Sequence, residues 1–423
     1  MLLSPAPSSE TSPLGLLARL LSDAKLALSD LPKWERVVHI FWLLGPFILL
    51  IERTPADLWL SLLGLIFVGR SIAQRGGAWL RHFWVRAAFV FWAVCLLSAA
   101  LSSQPSYALG EAFVWFRFPL FAMATAFWLG KDKRLLYAML LSTGLGMMVM
   151  TGILTAEILI EGLKDGRLTW PYDDLVPGNY LAKVGLPAFV VGVALAAGAR
   201  AKVAWVMAVL SCATLALSVL AGERINLILR MCSALLASLS WRLTWTKSTL
   251  IIMVLVATVF AVMNFSSGME KRFTTAVLHD LPFGQHSDYY RVIGGGFVAF
   301  SDAPILGIGT ANYRDICHEL MTEKPMFRCD NHPHNYYVQM LAETGFLGLG
   351  SGLLMILSMI WVIFKAGLRN RRNVVATTAF IVPLGLFFPL QSTADFFGQW
   401  NNIFMWSAVA LSMAAINLTP VHE

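Results

Sequence analysis

The chain has 423 residues, of which 57% are hydrophobic and only 13% charged, about half the roughly 25% charge of soluble domains. A mean hydropathy of +0.66 and apolar runs recurring to the end of the chain exclude a soluble enzyme, cytosolic or secreted. The net charge of +7 does not indicate nucleic acid, because the positions of the bases follow a different logic.

Residues 1–36 are Ser- and Pro-rich, without a basic patch leading into an apolar core, so no cleavable signal peptide is expected. Leu14, Leu17, Leu21, Ala24 and Leu28 recur at helical spacing. They suit either a short amphipathic helix on the inner membrane surface or a floppy tail. Twelve apolar segments follow, at about 37–51, 57–69, 83–101, 111–130, 135–160, 179–199, 203–221, 225–241, 248–264, 338–364, 374–392 and 401–418. Each is near the ~20 residues that carry a helix across ~30 Å of hydrocarbon, although the first two are short. With the N-terminus inside, cytoplasmic segments hold 19 of the 32 Lys and Arg, outside loops ten, and helices three (Arg117, Lys183 and Arg230). That is the positive-inside pattern, so the excess charge encodes topology. The expectation is an all-α polytopic membrane protein of about twelve transmembrane helices. The cytoplasmic tail 1–36 leads into helices 1–9 over 37–264. One large outer loop spans 265–337, and helices 10–12 with a short cytoplasmic tail fill 338–423.

Cys95, Cys212 and Cys232 lie in apolar segments as small buried hydrophobes. Cys317 and Cys329 share the outer loop, where an oxidising compartment invites a disulfide. The loop breaks the hydropathy without a Ser/Gly-rich run, so it should be ordered, with Pro and Gly punctuating short helical pieces. It carries eight acids against six bases and five of the eight histidines. Any anion site there must therefore use individual arginines.

Three constellations carry chemistry. In "AGERINLILR", residues 221–230, Gly222, Glu223 and Arg224 sit at the outer end of the seventh segment with almost no loop before the next. A guanidinium held there suits bidentate phosphate binding, or else a contact with Glu223 or a lipid headgroup. In "SDYYRVIGGGFVAFSDAPILGIGTANY", residues 287–313, Arg291 lies on an apparent amphipathic helix. The Gly-rich turn that follows can lie close against a substrate or another backbone. In "HPHNYYVQMLAETG", residues 332–345, His332 and His334 stand where the loop meets the next helix, and Asn335 can cap it. A histidine there can take a proton from a hydroxyl near neutral pH, or simply cap and pack. A metal is the weaker reading, since no third ligand stands at recognisable spacing. Glu343 falls within the apolar stretch, roughly on the face of His334 and Asn335, as a functional carboxylate or a structural partner of a backbone group or arginine. Lys183 could snorkel to the phosphate level. Asp173 and Asp174 could hold a divalent cation but read better as a solvated loop.

The order of these motifs, from Gly-Glu-Arg through "YYRVIGGGF…PILGIGTANY" to "HPHNYYVQMLAETGFLGL", resembles the O-antigen ligase superfamily. That superfamily also contains O-antigen polymerases and O-linked protein oligosaccharyltransferases. The motifs span about residues 221–350, and the twelve-segment topology matches over the full chain. The resemblance implies a GT-C-like glycosyltransferase of the bacterial inner membrane with its active site on the periplasmic side. It would move a finished glycan from undecaprenyl diphosphate to the lipid A–core, among membrane lipids, without metal, cofactor or nucleic acid. By motif position the diphosphate-holding arginines are Arg224 and Arg291 and the base is His334, with His332 one step off the pattern. Asn335, Glu343 and Lys183 are lesser candidates. An O-antigen polymerase, an O-linked protein oligosaccharyltransferase and, in a different class, a lipid or polysaccharide transporter are the alternatives.

Overall fold

The computed structural model describes residues 12–418 except 165, 223, 243, 266, 274–283, 285–286, 323, 325 and 391–394. Glu223, His279, Pro282, His286 and the last five residues, all named in the sequence, lie outside the described residues.

The described residues are helical. The N-terminal helix α1, Pro13–Ser29, begins where Ser12 Oγ accepts from Gly15 N and packs on α6, resolving the first alternative above in favour of a helix. Then come α2 Lys33–Leu43, α3 Arg53–Ala73, α4 Phe83–Ala100 and α5 Pro105–Leu129. They are followed by α6 Lys133–Ile160, α7 Val176–Val184, α8 Leu186–Gly198, α9 Ala201–Ala221, α10 Arg224–Ser240 and α11 Trp245–Met263. The loop supplies α12 Asp288–Asp302 and α13 Tyr313–Met321, and the chain closes with α14 Tyr336–Arg369, α15 Val374–Leu386 and α16 Trp400–Leu418.

Each of the twelve apolar segments forms helix, but among the described residues only eight helices are long and apolar enough to cross a membrane, or up to nine if the bent pair α7–α8 counts as one. The shortfall has local causes. The first segment is broken after Leu43, and a four-residue helix Gly45–Ile48 follows with Pro46, which lacks an N–H, in its first turn. The sixth bends by 55° between α7 and α8. The eighth, α10, has 17 residues, and α15 is shorter still.

The core lies where α16, the most buried span, meets α5. Trp115 is buried there, its indole N–H donating to the Phe396 carbonyl at 2.9 Å. Helix α14 packs along α4 and carries a break of its own: Gly345 has φ +64° and ψ −165°. The turn 304–309 repairs it. Ile308 N donates to Ala342 O at 3.0 Å, Gly309 N to Glu343 O at 3.1 Å, and Phe346 N to Pro304 O at 2.9 Å. Backbone groups freed by the break are thus satisfied, as they must be in an apolar interior. No Cβ fits at Gly345, where it would stand 2.3 Å from the Ile305 carbonyl. Of the two uses read for the Gly-rich turn, close approach to another backbone is the one observed.

Candidate active site

The cap of α14 orients the histidines. Asn335 Oδ1 accepts from Tyr337 N at 3.0 Å and Val338 N at 3.2 Å, the capping geometry expected of an Asn before an apolar run. Its Nδ2 donates to the Pro389 carbonyl at 2.7 Å, and the Tyr337 hydroxyl donates to the Phe387 carbonyl. His334, at φ +54°, occupies the left-handed region, which histidine tolerates better than most residues.

His332 and His334 stack with centroids 4.5 Å apart and planes 7° from parallel. The Tyr289 ring of α12 stands edge-on to His334 at 5.8 Å. His334 Nε2 lies 3.4 Å from Asp330 Oδ2. Burial pushes the His332 imidazole down to about 4; Asp395 opposes that shift and His334 adds to it. The Nε2 atom of His332 is buried without a hydrogen-bond partner. The two rings therefore differ in setting: His332 is half-buried with its Nε2 enclosed, and His334 is the one with a carboxylate beside it.

Beneath them runs a polar network that the sequence reading missed. Asp395 Oδ2 accepts from Arg314 Nη2 at 2.9 Å and its Oδ1 from Gln339 Nε2 at 2.6 Å. Gln339 Nε2 also reaches Glu343 Oε1 at 3.1 Å. Glu343 is 1% exposed, and its Oε2 accepts from Ala311 N at 2.6 Å. Glu343 thus pairs with a backbone group of the Gly-rich segment, one of the structural roles foreseen for it. Arg314 stood among the six loop bases, and Asp395 was a lone acid between the last two apolar segments. Neither belonged to a recognisable pattern.

The arginines divide between two places. Arg291 sits in the first turns of α12, two residues after Tyr289. Its Nε donates to the Met326 carbonyl at 3.1 Å, and the residue is half-buried. Arg224 opens α10 and is half-buried. Its position depends on a close approach of backbones: a Cβ on Gly178 would lie 2.3 Å from Gly222 Cα. Asn226 Nδ2 donates to Asn179 Oδ1 at 3.3 Å across the same contact. Lys183 lies on a π-helical turn, Tyr180–Val184. Snorkelling is corrected here: Lys183 is 1% exposed, its Nζ 3.4 Å from Asn401 Oδ1, because the break after α7 turns that side chain into the bundle. Gly385 and Leu386 adjoin Lys183 and Arg230, while Phe387 and Pro389 adjoin Tyr337 and Asn335. The end of α15 thereby links the two groups.

Asp173 and Asp174 stay on a loop, where Asp174 Oδ1 accepts from Val176 N at 2.6 Å and Asp173 lies 3.8 Å from Lys164. Among the described residues no group of three or more His, Cys, Asp or Glu could hold a metal ion. Cys317 and Cys329 are joined by a disulfide, which ties α13 to the strand of chain leading into Asp330 and the histidines.

A family model described as O-antigen ligase matches residues 206–351, from within α9 through the break in α14. Over those residues the chain is similar to the O-antigen ligase family. This match and the eight apolar helices among the described residues together suggest a multi-pass membrane protein with a glycosyltransferase-like function. Among solved structures, a similar chain comes from one titled "Structural coordination of polymerization and crosslinking by a peptidoglycan synthase complex". It is 13% identical, with 79% of this chain and 96% of that chain covered and a TM-score of 0.47. No curated protein matches the chain.

Proposed function

We propose that this chain is an O-antigen ligase, moving polysaccharide from undecaprenyl diphosphate to the lipid A–core on the periplasmic face of the bacterial inner membrane. The observation that carries the reading is His334, 3.4 Å from Asp330 at the capped start of α14 and inside the family-matched region. His334 takes the proton of an acceptor sugar hydroxyl, and Asp330 stabilises the imidazolium that forms. The hydroxyl oxygen attacks the anomeric carbon as the bond from that carbon to the diphosphate oxygen breaks, inverting the configuration. Arg224 and Arg291 stabilise the charge gathering on the departing diphosphate. A diphosphate leaves readily, so the step uses no general acid, metal or nucleotide.

The test is reconstitution of the purified protein with labelled undecaprenyl diphosphate glycan and lipid A–core. Label on the lipopolysaccharide supports the reading. Consumption only with a second lipid-linked glycan or a protein acceptor makes it a polymerase or a protein transferase, and no consumption with any acceptor favours a transporter. His334→Ala should slow transfer by about 10²–10⁴-fold while leaving donor binding in place. A His334→Ala protein that transfers glycan at the parent rate removes His334 as the base.

A further inference from the structure

The chain that leads through Cys329 to the histidines runs along the first turns of α12, and it carries an arginine outside the sequence motifs. Arg291 Nε donates to the Met326 carbonyl at 3.1 Å, and Arg328 N donates to the Arg291 carbonyl at 3.2 Å. The absence of side chains on α12 permits this approach. A Cβ on Gly294 would lie 2.3 Å from the Phe327 ring, and one on Gly295 would lie 3.0 Å from the Arg328 carbonyl. The backbone of Arg328 is therefore fixed against the helix that bears Arg291.

Its side chain is held far more loosely. Arg328 Nη1 lies 3.6 Å from Asp288 Oδ1, with 50% of the arginine side chain and 68% of the aspartate side chain exposed. That separation exceeds the ~2.7–2.9 Å of a charge-assisted hydrogen bond, and exposed pairs of this kind contribute little. Asp288 stands three residues before Arg291, so the two occupy neighbouring turns of one helical face. The residue after Asp288, Tyr289, meets the candidate base, its ring centroid 5.8 Å from that of His334. Arg328 thus presents an accessible guanidinium within about one turn of Arg291 and close to the histidines, with one carboxylate as its weak partner.

We propose that Arg328 is a further diphosphate-binding residue, exchanging Asp288 for phosphate oxygens and acting beside Arg291; this rests on the reading of the donor as a lipid diphosphate. Two phosphate groups present more anionic oxygens than one bidentate guanidinium can take, and Arg224 stands in the other of the two places that the arginines occupy. Asp288 competes with the phosphate oxygens for the same guanidinium, so its charge opposes donor binding. A purely structural ion pair makes the contrary prediction, that loss of either partner loosens the loop and weakens binding alike.

The test is equilibrium binding of labelled undecaprenyl diphosphate to the full chain in detergent. Arg328→Gln should weaken binding by about tenfold or more, and Arg328→Lys, which keeps the charge but not the fork, should recover part of that loss. Asp288→Asn should tighten binding by about two- to fivefold. Lys324→Gln, which removes an exposed charge from the same loop, should leave it unchanged. The proposal is overturned if Arg328→Gln binds like the parent, if Asp288→Asn weakens binding as Arg328→Gln does, or if Lys324→Gln costs as much as Arg328→Gln. A parent protein that binds no undecaprenyl diphosphate overturns both this proposal and the donor reading beneath it. Transfer to lipid A–core by a parent whose donor binding ignores Arg328 overturns this proposal alone, whereas Arg328-dependent binding without transfer upholds it and reassigns the acceptor.

Discussion

His332 and His334 stack as near-parallel rings, yet their surroundings differ. Burial lowers the His332 pKa to about 4, below the ordinary value near 6.5. Between those two values the unfolded chain holds a proton on this residue that the folded chain does not. The contribution to stability is therefore complete above about pH 6.5 and is lost as pH falls toward 4. Thermal unfolding at pH 7.5 and pH 5 should show a smaller acid-induced loss in His332→Asn than in the parent. Equal losses would mean that another group governs acid stability. Asp330 acts on the other ring. Asp330→Asn should lower kcat by about tenfold, a fraction of what the base itself supplies, and should shift the pH profile because the imidazolium loses its counter-charge. An unchanged profile would leave Asp330 with a purely structural role. The stack itself was not legible in the sequence. Spacing placed the two histidines at one helix start, but the choice between them depended on Asp330 and Asp395, which reach them from opposite directions along the chain.

At the scale of elements, the break in α14 organises the site. Gly345 takes a left-handed φ of +64°, and a Cβ there would meet the Ile305 carbonyl. Gly345→Ala should destabilise the protein by about 1–3 kcal/mol from backbone strain alone, with the steric contact adding to it. Gly350, in the same helix, has nothing within 4 Å of a Cβ, so Gly350→Ala should be neutral or stabilising by up to about 1 kcal/mol. Thermal unfolding of the pair checks this, and equal midpoints would show that the break is not required. The reason the break matters is visible in Glu343. Its carbonyl accepts from Gly309 N and from Ser98 Oγ at 2.8 Å, while its carboxylate accepts from Ala311 N. A straight α14 would return that carbonyl to its own ladder and release the segment that carries Arg314. The Pro304-to-Gly309 turn showed in the sequence as a place of close approach, but what it approaches is a backbone 40 residues away and could not be read from spacing.

For the molecule as a whole, the disulfide between Cys317 and Cys329, separated by 12 residues, closes a loop upstream of the candidate base. By chain entropy such a closure contributes about 3 kcal/mol. The double variant Cys317→Ser with Cys329→Ser should unfold at lower temperature and transfer glycan more slowly. Maleimide labelling before and after reduction tests the bond directly, and an unchanged midpoint would make the link dispensable. Membrane character, helical class and the start of α14 were all decided by local properties of the chain. Hydrocarbon thickness and the need to satisfy every backbone group impose a length and an apolarity on each segment independently, and an Asn before an apolar run caps a helix with its own side chain. Which segments fall short of a span, how α7 and α8 bend, why Lys183 is buried, and how Asp395 and Arg314 come to lie under a histidine pair were decided only by the tertiary structure. Each depends on packing between elements far apart in the chain, whereas transfer into the membrane is settled residue by residue.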